Sequence, residues 1–300
     1  MQGKKIAGKI YILQSFKGFS MLGVIGGSGL YQVDDINILD EVNISTPYGE
    51  PSDRYIIAEY RGKKAVFLPR HGKGHKYPPH LINYRANIWG FRKLGVDRIL
   101  SVSAVGGINP LLKPGDFVLS DQFIDFTKVR PVTFYEGVYT IYDETDGKDD
   151  LVSEYLKNNR VVHIDVTDPF CSSMRKTLSD ILDEKGYRYH KKGTYIATEG
   201  PRLETSAEIK AFSILGADIV GMTLVPEIVL ARELSMHFAS INVVTNLAAG
   251  ISGERLTSDE VIQMMKEKND QIKEIILSFI EKVPEKPDCN CEDVLDGAAI

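Results

Sequence analysis

The chain has 300 residues, with 36 lysines and arginines against 41 aspartates and glutamates, a formal net charge of −5. That length makes a soluble globular protein of one large or two small domains with a sizeable core. The mildly acidic, dispersed charge argues against partnership with nucleic acid or a membrane surface, which leave basic patches or stripes, so any anionic ligand must be held by local groups.

The opening MQGKKIAGKIYILQSFKGFS scatters lysines through a segment with no compact apolar stretch, and no run of 18 apolar residues follows. It reads as neither signal peptide nor membrane span, and a cytoplasmic location is the expectation. Met21 stands directly before the first clear strand, so residues 1–20 are expected to be a frayed extension. From Met21 onward, short β-branched or apolar runs alternate with segments of helical period, without repeat or linker, until the tail after Pro284. This pattern predicts one α/β domain over 21–283 and a tail over 284–300.

In chain order, the expected strands are MLGVIGG, KKAVFLPR, DRILSVSAVGG, GDFVLSDQFIDF, RVVHIDV, GTYIATEG, ADIVGMT and FASINVVTN. Several end in Gly, Ser, Thr or Asn, as ligand-binding loops at strand ends do. Helices are expected over 81–94, 173–185, 206–215, 226–235 and 258–283, the first three closed by Gly95, Gly186 and Gly216. Two of them open on capping boxes, Thr205 with Glu208 and Thr257 with Glu260. The segment from Gly137 to Asn159 is polar and acidic and reads as a surface excursion.

Four strand ends offer groups for an oxyanion. GVIGGSGLY places Ser28 among glycines whose exposed amides make a small anion nest; it lacks both the dinucleotide fingerprint and the P-loop lysine. PRHGKGHKYPPH sets Arg70 beside His71, with His75 four residues on. The guanidinium can bind an oxyanion bidentately, whereas a catalytic metal is poorly served by histidines in a glycine-rich loop. SVSAVGGI brings Ser103, and GMTLVPE brings Thr223 just ahead of a helix started around Pro226. Each alone is an ordinary strand end, and one shared oxyanion site explains the four together more economically than four unrelated turns. Glu204, just before a capped helix, either compensates the helix dipole, worth ~0.3–1 kcal/mol, or accepts hydrogen bonds from a ligand.

Three cysteines are too few for a disulfide framework. Cys289 and Cys291 read as exposed tail thiols, and Cys171 lies far from them along the chain. Zinc would need two further ligands that the sequence does not place nearby, so no metal is expected, while a local redox pair stays open.

The blocks GGSGLY, PRHGKGH, NYRANIWGFRKLGV, SAVGGI, KPGDFVLSDQFIDFT, EGPRLET, ADIVGMTLVPE and VVTNLAAG, in this order, resemble the trimeric purine nucleoside phosphorylase and methylthioadenosine phosphorylase family over about 22–283. The resemblance implies a single α/β domain whose mixed central sheet, a distorted barrel, is flanked by helices. It also implies phosphorolysis without a cofactor, inorganic phosphate being a co-substrate, in a homotrimer or a hexamer of paired trimers. Phosphate would then be held by Ser28, Arg70, His71, Ser103 or the Ala104 amide, and Thr223. Met222 and Leu203 would border the nucleoside, with His75 near the sugar; His163 from a neighbouring subunit and Val261 would close the 5′ end.

In the base pocket, methylthioadenosine phosphorylases carry aspartates where this chain has Asn246 and Ala248, whereas the 6-oxopurine branch carries Asn at the first position and a Glu matching Glu204. The resemblance therefore implies cleavage of inosine and guanosine, with methylthioinosine or methylthioadenosine as the alternative. A nucleoside hydrolase would not need the anion-binding set, a non-catalytic purine-binding protein would not turn over, and a nicotinamide oxidoreductase would need the missing glycine fingerprint.

Overall fold

A computed structural model of the protein describes residues 21–27, 36–144 and 148–300. Strand β1 (Met21–Gly26) is buried at all six positions. It lies between two parallel neighbours, β4 (Lys63–Pro69) and β5 (Val96–Gly107). A parallel strand covered on both faces reads as an unbroken apolar run, and strand alternation still sorts its side chains. Met21 and Ile25 enter one core cluster, and Leu22 and Val24 enter the other.

On the far side of β5 runs β11 (His237–Leu247), also parallel, in register from His237 opposite Arg98 to Leu247 opposite Gly107. The carboxyl ends of β1, β4, β5 and β11 therefore open along one edge, where α/β sheets take ligands. Beyond β4 the sheet continues antiparallel through β3 (Tyr55–Tyr60) and β2 (Asn37–Val42).

The other half curls. The last two residues of β5 pair with β10 (Ile219–Gly221), which leads through β9 (Thr194–Thr198) to β7 (Gln122–Phe126). On its free edge β11 pairs with β6 (Phe117–Leu119), itself flanked by β8 (Tyr189–His190). Only Ser120 and Asp121 separate β6 from β7, so the chain closes a ring through β5, β11, β6, β7, β9 and β10. This is the distorted barrel with a mixed sheet.

Among the described residues six helices flank it: α1 (Tyr84–Lys93), α2 (Leu151–Lys157), α3 (Ser172–Lys185), α4 (Ser206–Ile214), α5 (Leu224–Glu233) and α6 (Ser258–Lys282). Trp89 of α1 and Ile228 of α5 enter the core on one face, and Leu178 of α3 and Phe279 of α6 enter it on the other. The capping box at Thr205 and Glu208 is made in both directions, and at α6 Thr257 accepts from the Glu260 amide. Gly186 ends α3 in the left-handed conformation that favours glycine.

Several expectations need correcting. RVVHIDV is not a strand of the sheet; it makes an isolated bridge between Val162 and Ala299. Its β-branched residues signal extended backbone, but Val162 finds its bridging partner in Ala299 of the C-terminal tail and not in the sheet. GDFVLSDQFIDF splits into β6 and β7 where the barrel turns. The expected strands omitted β2, β3 and the two-residue β8; β2 is mostly exposed and so lacks an apolar pattern. The acidic excursion contains α2, whose Val152 and Leu156 are buried. The tail thiols are not both exposed: Cys291 is buried, and Cys289 lies 3.5 Å from Cys171, Sγ to Sγ. Among the described residues, no helix is long and apolar enough to cross a membrane. The expected extension over 1–20 lies outside them.

Candidate active site

A cavity of about 730 Å³ opens at the carboxyl edge of the parallel strands, within the usual range for small-molecule sites. Arg70, His71, Ser103, Ala104 and Thr223 line one part of it. Leu203, Glu204, Met222, Asn246 and Ala248 line it too, as do His75 and Val261. Ser28 lies outside the described residues, although Gly27 reaches the cavity. His163 does not line it; the residue is exposed, and its amide donates to the Ala298 carbonyl at 2.9 Å.

Arg70 follows β4 directly, and its amide donates to the Gly26 carbonyl at 2.8 Å, which fixes the turn. Its guanidinium is buried and held bidentately by Glu227, Nε to Oε1 at 2.5 Å and Nη2 to Oε2 at 2.9 Å. Nη2 also donates to Ser101 Oγ at 2.7 Å, and Nη1 donates to the Val102 carbonyl at 3.0 Å. The bidentate face expected for an oxyanion is thus occupied. A buried arginine without a carboxylate is far costlier than a paired one, and Glu227 on α5 supplies the partner. What Arg70 still offers the cavity is its remaining Nη1 proton.

His71 differs from its expected role in the same direction. Its Nδ1 donates to the Tyr77 carbonyl at 2.8 Å, and its ring stacks on His75 at 4.0 Å between centroids. Burial pulls the imidazole down to about 4, with Arg70 and His75 adding to the effect. At neutral pH the ring is therefore uncharged, and Nε2 is an acceptor. Ser103 likewise donates its hydroxyl proton to Asn242 Oδ1 at 2.7 Å. Thr223 caps the start of α5 without spending its side chain on the cap.

Glu204 and Asn246 stand on different elements. Glu204 is half-buried just ahead of α4, and Thr198 donates to its Oε1 at 2.6 Å. Asn246 follows a bulge: the register of β11 against β5 shifts between Val244 and Asn246, leaving Thr245 as the extra residue. Bulges re-aim side chains at strand ends. The amide is held locally, with Oδ1 accepting from Thr245 at 2.8 Å and Nδ2 donating to the Leu247 carbonyl at 2.9 Å. One N–H and one acceptor lone pair stay available.

Two glycines permit the close approaches. At Gly200, φ is +67°, and a Cβ would meet Met222 Sδ at 2.5 Å. At Gly250, φ is +79°, and a Cβ would meet Ser206 at 2.6 Å, so the loop after Asn246 rests on the first residue of α4.

Sequence reasoning missed three partners. Glu227 is fully buried on α5 and could have been flagged as a charge within VPEIVLA, an apolar helix. Arg130 donates to the carbonyls of Glu199, Met222 and Val225 at 2.6 to 2.7 Å, tying together the two loops beneath the cavity. It sits in an irregular segment with no periodic signal. Thr198 ends β9, and only the fold brings it to Glu204.

The family model for the phosphorylase superfamily matches residues 21–281. A 6-oxopurine nucleoside phosphorylase of Pyrococcus furiosus is 46% identical over 277 residues, 92% of this chain and 98% of that one. A protein of Thermococcus kodakarensis named "Probable 6-oxopurine nucleoside phosphorylase" is 48% identical over 277 residues, again 92% and 98%. Among solved structures, a methylthioadenosine phosphorylase from an antarctic soil metagenomic library superimposes with a TM-score of 0.81 at 35% identity, covering 95% of this chain and 93% of that one.

Proposed function

The chain belongs to the phosphorylase superfamily, and within it we propose a purine nucleoside phosphorylase that cleaves inosine and guanosine with inorganic phosphate, releasing free base and ribose 1-phosphate. The observation that carries this reading is one cavity that gathers Arg70, His71, Ser103 and Thr223 from strand ends with a carboxylate, Glu204, and a carboxamide, Asn246. Relatives named for 6-oxopurine nucleosides, at 46% and 48% identity, support the choice of base.

A phosphate oxygen forms the bond to the anomeric carbon as the bond from that carbon to the base nitrogen breaks, and its electron pair moves into the purine. Positioning and electrostatics do this work, and no side chain becomes a covalent nucleophile. With Arg70 already neutralised by Glu227, phosphate is held by aimed hydrogen bonds more than by net charge: the free Nη1 proton, the Ala104 amide, Thr223 and Ser28. Neutral His71 Nε2 and the Ser103 oxygen accept, and they suit the proton-bearing oxygen of phosphate.

A 6-oxopurine presents a donor at N1 and an acceptor at O6, while adenine presents an acceptor at N1 and a donor at its amino group. An ionised Glu204 can only accept, so it matches the N1 proton; Asn246 directs its free N–H to N7, where charge gathers as the base leaves. Each unmatched buried polar group costs ~1–3 kcal/mol, so two mismatches reject 6-aminopurines by roughly several hundredfold. Met222 and Leu203 border the nucleoside, with Ala248 leaving room where a second carboxylate would stand.

His75 lies near the sugar, and a neighbouring subunit's His163 closes the 5′ end of a cytoplasmic homotrimer or hexamer. One feature favours methylthioinosine as a second substrate: Val261, Ile262 and Met265 of α6 line the cavity with an apolar wall. The test is release of base from inosine, guanosine, adenosine, methylthioinosine and methylthioadenosine, with and without phosphate. Inosine and guanosine should turn over fastest, and only with phosphate. Equal rates on inosine and adenosine would sink the base assignment, and turnover without phosphate would make the enzyme a hydrolase.

A further inference from the structure

At the amino end of β11, far from the cavity, four side chains that the proposed reaction does not use converge. Cys171 caps α3, His237 begins β11, and Cys289 and Cys291 come from the tail after α6. One ligand atom from each lies within 4.8 Å of all the others. Cys171 Sγ is 3.5 Å from Cys289 Sγ and 3.7 Å from His237 Nδ1, and His237 Nδ1 is 3.2 Å from Cys289 Sγ.

We propose that Cys171, His237, Cys289 and Cys291 form a structural zinc site that fastens the C-terminal tail to the barrel. A tetrahedron with zinc–sulfur bonds of about 2.3 Å and zinc–nitrogen bonds of about 2.0 Å has edges of about 3.8 Å between sulfurs and about 3.5 Å between sulfur and nitrogen. The three separations among Cys171, His237 and Cys289 lie within a few tenths of an ångström of those edges, and Cys291 Sγ is within 4.8 Å of each, so a modest closing of the tail admits the ion. Three thiolates and an imidazole select a soft, four-coordinate metal and leave no open position for a substrate.

The surroundings suit the ion as well. His237 presents Nδ1 to the sulfurs and Nε2 to Glu292 Oε1 at 3.3 Å, the carboxylate–histidine arrangement that fixes a ligand's tautomer. The Met174 amide donates to Cys171 Sγ at 3.4 Å, and Arg232, which donates to the Cys291 carbonyl at 3.0 Å, supplies a cation beside a cluster of net charge −1. On binding, the thiol protons leave to solvent and three sulfur–zinc bonds and one nitrogen–zinc bond form, with no change of oxidation state. The nine residues from His237 to Asn246 place the ion roughly 30 Å from the base reader, so it stabilises the fold without touching the chemistry.

The experiment is elemental analysis of the purified full-length chain under reducing conditions, alongside Cys289→Ser and Cys171→Ser. One zinc per chain is expected, falling below a tenth in each variant, with base release by Cys289→Ser within about twofold of wild type. Should the variants fail to fold, cobalt added to the metal-stripped wild-type chain should give the spectrum of a tetrahedral thiolate centre. Stripping should lower Tm by about 10 °C for a site otherwise saturated a thousandfold above its Kd. Failure to bind either metal with all three thiols reduced would overturn the proposal. So would zinc retained in both variants, iron in its place, or a disulfide among the cysteines of the freshly purified chain.

Discussion

The two parts of the cavity are built on opposite principles. Where phosphate is proposed to bind, three of the polar groups already have a protein partner: Arg70 with Glu227, Ser103 with Asn242, His71 with the Tyr77 carbonyl. Where the base is proposed to bind, Glu204 and Asn246 are half-buried and held by short local bonds from Thr198 and Thr245. On that proposal the anion side is a frame tied into the core, and the base side is a pair of adjustable readers. Charge at the first costs stability to alter, and charge at the second alters specificity.

The largest expected effect tests the frame. Glu227→Gln strands the buried Arg70 charge and should destabilise the fold by about 3–5 kcal/mol, the cost of breaking a buried pair, read from denaturant unfolding. An unchanged midpoint would show that the frame does not depend on the pair. Next comes the reader. Asn246→Asp should leave stability nearly untouched while moving the ratio of adenosine to inosine cleavage by about 5- to 150-fold, the equivalent of ~1–3 kcal/mol for one rematched group. A variant that lost both activities equally would place Asn246 in the frame instead.

The smallest effect is a titration. The folded His71 titrates near 4, below its ordinary 6.5, so the stability it contributes is complete above pH 6.5 and lost as pH falls toward 4. An NMR midpoint above 7 in the free enzyme would mean a largely cationic ring at neutral pH and a charge-based phosphate site.

The sequence announced the base side and the strand ends more fully than it announced the frame. Parallel strands buried on both faces are legible as apolar runs, and their closing Gly, Ser, Thr and Asn residues point to the ligand edge. Glu227 stands out as a charge in an apolar helix, but its role and that of Arg130 were not legible because their partners lie across the fold: Arg70 and Glu227 are 157 residues apart. The cysteine cluster failed for the same reason, 118 residues separating Cys171 from Cys289. RVVHIDV misled because β-branching reports extended backbone, and only neighbours decide whether it joins a sheet.

Gly250 acquires a second meaning from this arrangement. It is the point where the loop after Asn246 leans on Ser206, two residues beyond Glu204. It therefore acts as the spacer of a caliper whose jaws are the two residues proposed to read the base. A methyl group there would drive the jaws apart, so the breadth of heterocycle the enzyme admits is gauged by a residue with no side chain to touch it.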